Sequence, residues 1–260
     1  MIAAARTTVY VAVLAALAGQ GALAQDLVAG RSVVPTGVSV EGGVAALALR
    51  DEFISRERYT GTLPSLRVTW SRYHDGAAFA LSIEYDRSAT IRNFNVSATI
   101  TQFSLHQGFE YALGKFRLLA RDVYAFLGPS AEVFLLFNEQ HVAVANPDFN
   151  QSAAGLLSSG LDSRLAAPLG RGFQAECTMR LAVLSLGVRP VDSEQNDVSP
   201  VKLLTPLSGL HGRVGLGVRS RLSSHLSVFA AGRFHVLRIS SWDLLTSVHD
   251  GLALGLTAGW

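Results

Sequence analysis

The stretch DGLALGLTAGW, Asp250–Trp260, decides the fold. Drawn as an extended strand, it puts Leu252, Leu254, Leu256, Ala258 and Trp260 on one face. Gly251, Ala253, Gly255, Thr257 and Gly259 take the other. One side is greasy and tipped by an aromatic, the other small and faintly polar. That contrast suits a barrel wall with lipid outside and a narrow lumen inside.

Working outward, the same period of two recurs along the chain. Val38–Leu49 is a first strand, its alternation broken at Gly42-Gly43, where a bulge is expected. Leu66, Val68 and Trp70 oppose Arg67, Thr69 and Ser71, and His74-Asp75-Gly76 turns the chain into Phe79–Tyr85. Phe103–Tyr111, Tyr124–Asn138, Leu157–Leu165, Phe173–Val183, Leu210–Val218 and Leu226–Val236 follow. Pro129 predicts a bend or bulge in its strand. Long polar connections are read at 51–64, 87–95, 139–154, 189–208 and 240–248, and short ones at 74–76, 114–121, 168–172 and 223–225. This gives an all-β antiparallel transmembrane barrel of about ten strands, eight or twelve being the neighbouring even counts, with short periplasmic turns and long external loops.

Composition agrees. Of 260 residues only 16% are charged, against about 25% in average soluble proteins. Mean hydropathy is +0.29, yet past residue 24 no apolar run approaches the roughly 18–20 residues of a membrane helix. The net charge of +2 shows no clustered basic run, which argues against nucleic acid as a partner. Cys177 stands alone, excluding an internal disulfide or a cysteine metal cluster. Met1–Ala24 reads as a secretory signal: Arg6, an apolar Val9–Ala18, then Ala22-Leu23-Ala24 before Gln25. The expected organisation is 1–24 signal, 25–36 periplasmic segment and 37–260 barrel.

With these features the chain resembles bacterial outer-membrane β-barrels, in particular the small OmpA- and OmpX-type barrels and the "outer membrane protein β-barrel" domain. The resemblance is one of pattern. It implies outer-membrane lipid as surroundings and a closing strand read by the barrel assembly machinery, a role it gives to Leu254, Leu256, Ala258 and Trp260.

The inward positions carry both signs of charge. Glu84, Asp86, Glu110, Glu132, Asp162 and Glu176 stand against Arg67, Arg164, Arg180, Arg213, Arg219, Arg221 and Arg233. Unpaired, they would be costly inside a narrow lumen, so cross-lumen ion pairs are expected. A mostly filled, structural lumen in a monomeric surface protein is the first reading. A narrow selective pore, with an acidic wall facing a basic one, is the second. A secreted soluble β-barrel binding a hydrophobic ligand is the third. It differs in sending Phe79, Leu81, Phe103, Val133, Leu216 and Trp260 inward.

Chemistry is sparse. Omptin-type proteases set Asp and His residues at an outer rim; Asp51-Glu52, Asp192, Asp197, Asp243, His249 and Asp250 are the rim candidates, without a matching order. Lipid-modifying barrels use a Ser–His arrangement, and His106, His211 and His235 have no serine at a telling spacing. No His or carboxylate pair has metal-ligand spacing, Asn95-Val96-Ser97 is uninformative, and no helix follows Gly215-Leu216-Gly217 to bind a nucleotide. No enzyme activity, cofactor or metal is expected. An extracellular or periplasmic partner would meet the loops 139–154 and 189–208.

Overall fold

The computed structural model describes residues 34–52, 55–88, 90–92, 97–141, 151–170, 172–189 and 199–260. The signal segment 1–24, residues 25–33 of the segment after it, Asn95-Val96, most of loop 139–154, and residues 190–198 of loop 189–208 with Asp192 and Asp197 lie outside the described residues. Among the described residues twelve strands form one antiparallel sheet: β1 (Gly37–Asp51), β2 (Ser55–His74), β3 (Ala77–Arg87), β4 (Ile91–Arg92), β5 (Ser97–Leu118), β6 (Arg121–His141), β7 (Gln151–Gly170), β8 (Phe173–Val188), β9 (Val201–Leu204), β10 (Gly209–Arg221), β11 (Leu226–Ile239) and β12 (Leu245–Gly259). Ten are staves; β4 and β9 are short additions beside them. β12 closes the sheet against β1, in register from Gly37 opposite Gly259 to Asp51 opposite Leu245. Closure removes both edges and satisfies the backbone ladder all round.

Alternation decides which way each side chain faces. On β12 Leu252, Leu254 and Leu256 are 75, 70 and 53% exposed, while Ala253 and Thr257 are buried. Outward apolar residues meet one another across the ladders. Val40 pairs with Val68, Val68 with Ile83, Ile83 with Leu105, Leu105 with Val133 and Val133 with Leu157. Beyond them Leu161 pairs with Leu181, Cys177 with Leu216 and Val40 with Leu256. Every long stave contributes an exposed large hydrophobe, so a continuous apolar belt encircles the barrel. Phe79, Leu81, Phe103, Val133, Leu216 and Trp260 lie on this outer face and do not converge inside.

Several sequence expectations need correction. The segment 55–64, read as loop, belongs to β2. There the pattern is inverted: Tyr59 and Leu63 are buried inside, while Thr60, Thr62 and Pro64 are exposed outside. The stave runs past the belt into water, so its polar face is the outer one. The loop at 87–95 holds β4. The connection at 114–121 is strand up to a two-residue turn, Leu119-Ala120, with φ of 50° and 62°; such positive φ values match the twist of a tight hairpin. The Gly42-Gly43 bulge is absent, since β1 keeps its register with both neighbours there.

At Pro129 the register also holds; the slip falls between Ala112 and Gly114. What marks this region is Gly128, where an added Cβ would lie 1.7 Å from the Phe109 carbonyl oxygen. Only glycine lets β5 lean in that close. A further slip between Ser159 and Gly160 on β7 corresponds to a bulge at Val183 on β8. Val183 and Leu184 are both exposed, and beyond them Ser185, Gly187 and Arg189 turn inward.

Candidate functional site

The lumen is layered from the long-loop end to the short-turn end. At the long-loop end it is filled by an apolar core, with Leu47, Leu49, Tyr59, Phe134, Leu237 and Leu245 among its buried members. The sequence reading of a charged interior did not foresee this plug. A polar bolt crosses its rim. Arg189, 2% exposed, donates to Asp51, 1% exposed, and to the Asp243 carbonyl at 2.9 Å. Ser152 and Asn138 also donate to Asp51. One carboxylate thus ties β1, β6, β7, the end of β8 and the loop after β11.

Below the plug, histidines stack across the lumen. The His235 ring centroid lies 5.0 Å from His211 and 4.8 Å from His249, with Phe134 5.1 Å from His211. His249 is hydrogen-bonded to Gln102 at 3.1 Å and Ser247 at 2.8 Å.

The ionic layer follows. Arg213 bonds Glu84 across the lumen and sits 2.9 Å from Glu132. Arg67 from the neighbouring stave donates to both Glu84 oxygens at 2.7 Å. Arg180 holds Asp162 at 3.1 Å, Arg164 holds Glu110 at 2.9 Å, and Arg219 holds Glu176 at 3.1 Å. Arg233 pairs with Glu41, which the sequence reading missed. Acidic and basic side chains therefore interlock instead of forming two opposed walls. Two members of the sequence set stand apart. Arg221 is exposed at the short-turn end without an ion pair, and Asp86 is buried with no basic nitrogen within 4.0 Å among the described residues.

His106 lies between Ser82, 3.5 Å away, and Asp162, 2.9 Å away. This order was invisible in sequence because the three come from β3, β5 and β7. Gly108 makes room for it: a Cβ there would meet Asp162 Oδ2 at 2.5 Å. The rim candidates do not assemble. Asp51 and His249 are buried, Glu52 pairs with Arg50 at 2.5 Å, and Asp243 and Asp250 are exposed. No group of three His, Cys, Asp or Glu residues among those described can hold a metal ion. Cys177 is half-buried on the outer face.

Cavities open among the described residues. One of about 250 Å³ lies in the lumen, lined by Asp86, Ser65, Ala45 and the ionic layer. Another of about 550 Å³ opens at the short-turn mouth, and Pro35 and Arg219 line both. Between them Val34 is buried against Tyr73, Ala78, Phe126 and Ala166. The Pro35 carbonyl accepts from Ser71 at 2.6 Å, and Thr36 accepts the Tyr73 N–H at 3.0 Å.

No protein-family model and no curated protein matches the chain. Solved structures do. The outer membrane protease OmpT from Escherichia coli is similar at a TM-score of 0.48 and 6% identity, over 88% of this chain and 98% of that one. Neisserial surface protein A aligns at 0.38 and 10%, over 87% and 99%. Ail, the attachment invasion locus protein of Yersinia pestis, aligns at 0.31 and 9%, over 86% and 98%.

Proposed function

We propose that this chain is an integral outer-membrane β-barrel whose role is structural or surface-interacting, with a lumen that does not conduct. The belt carries the membrane reading. Soluble monomers rarely leave contiguous apolar patches larger than a few hundred Å², whereas here exposed hydrophobes ring the whole barrel. A bilayer would cover them, and the interlocked charges stay inside, away from lipid. The apolar plug and the Asp51–Arg189 bolt support a closed lumen.

In this reading the short turns face the periplasm and the long loops face outward, where a partner would be met. Leu254, Leu256, Ala258 and Trp260, outward on or beside β12, serve recognition by the barrel assembly machinery; their exposure supports this. Purified protein should migrate differently on SDS gels before and after boiling, and should open no stable channels in planar bilayers. Identical migration would remove the membrane reading, and steady conductance would replace the closed lumen by the pore.

A further inference from the structure

Charge balance inside the lumen is incomplete at one place. With Glu41 added and the Asp51–Arg189 pair of the plug set aside, seven inward carboxylates face six inward guanidiniums, Arg221 standing outside. Six of the seven have a guanidinium nitrogen within 4.0 Å. The seventh is Asp86. It is 7% exposed, its Oδ1 makes no hydrogen bond, and its side chain lines the 250 Å³ cavity.

Arg67, Arg213 and Arg233 are the guanidiniums nearest in field to Asp86, but all three are engaged with Glu84 or Glu41, and a buried carboxylate without a direct partner must take up either a proton or a cation. The surroundings say which kind. Ser65 and Gln102 flank Asp86 on the neighbouring staves, and Ser65 shares the cavity with Ala45 and Leu63. Most of the remaining lining is the paired arginines and carboxylates, so the Asp86 corner, with its serine and its aliphatic Ala45 and Leu63, fits a group with N–H donors on a short hydrocarbon stem. A single carboxylate is too little for a divalent ion, which takes six or more oxygens or near-ideal octahedral geometry. A small primary ammonium has three donors and one charge, and the cavity has room for a stem.

We propose that the lumen cavity binds a small primary alkylammonium, with Asp86 as its counter-ion and the short-turn mouth as its entrance. The site depends on the lumen, not on what surrounds the barrel, so it stands or falls apart from the membrane reading.

Titration calorimetry on the full chain in detergent, with n-butylammonium as probe, tests it. The wild type should show saturable binding that Asp86→Asn weakens by at least about tenfold. Tetramethylammonium, which has the charge but no N–H, should not bind. Ala45→Leu, which fills the cavity and leaves every charge in place, should also abolish binding and serves if the Asp86 variant does not fold. No saturable binding by the wild type would overturn the proposal, Asp86 then being neutralised by a proton. Binding untouched by either variant, or equal binding of tetramethylammonium, would overturn it as well.

Discussion

Arg189→Ala should lower the stability of the folded barrel by about 3–5 kcal/mol, because it removes a guanidinium from a buried carboxylate, that of Asp51. Both side chains are essentially sealed from solvent, at 2% and 1% exposure. Ser152 and Asn138 would still donate to Asp51, but neutral donors do not replace a guanidinium. The loss would also free the Asp243 carbonyl and loosen the loop after β11. Replacing both residues by leucine should recover most of the loss, since a neutral apolar pair extends the surrounding plug. Urea midpoints of the unboiled, fast-migrating band measure all three variants. An unchanged midpoint for Arg189→Ala would show that the bolt contributes nothing.

Leu216→Arg should cost about 2–4 kcal/mol and sharply reduce membrane insertion, the range for a cation on the lipid face near mid-bilayer. Leu216 is 61% exposed, and its outward neighbours across the ladders are Cys177 and Gly232. In a soluble protein an exposed leucine away from any contact could change to arginine within about 0.5 kcal/mol. The substitution therefore separates the two classes of protein by its size alone. Folding into lipid vesicles, followed by the gel shift and compared with Leu216→Ala, reads the effect. Wild-type folding of Leu216→Arg would count against the belt being a lipid contact.

How much of this was legible in sequence follows the belt. Where staves cross it, small or charged inward residues alternate with large outward ones, as on β12, and the period of two is plain. Above it the signs reverse: Tyr59 and Leu63 point in while Thr60 and Thr62 point out. A reading that seeks apolar residues on one constant face takes that stretch for loop. Arg189 reads as the first residue of a long polar loop, and the bulge at Val183 hides its true place. Counted from Cys177 at strict alternation it falls on the outer face; one extra residue moves it inside, beside Asp51. The adjacent pair Val183-Leu184 is the trace of that slip. Charged lumen residues such as Arg213 and Glu84 were visible one by one, but their contact joins β10 to β3 across the barrel, and no local pattern encodes it. Glu41 sits beside the Gly42-Gly43 pair, where the alternation looked broken although the strand runs on.

The central claim is that the barrel wall faces lipid on one side and a closed lumen on the other. Spin labels placed singly at residues 251 to 257 of β12 test it most directly, by comparing collisions with oxygen, which partitions into lipid, and with a water-soluble nickel complex. Labels at 252, 254 and 256 should favour oxygen, and those at 251, 253, 255 and 257 should be poorly reached by either. Nickel access at the even positions, or no alternation along the strand, would contradict it.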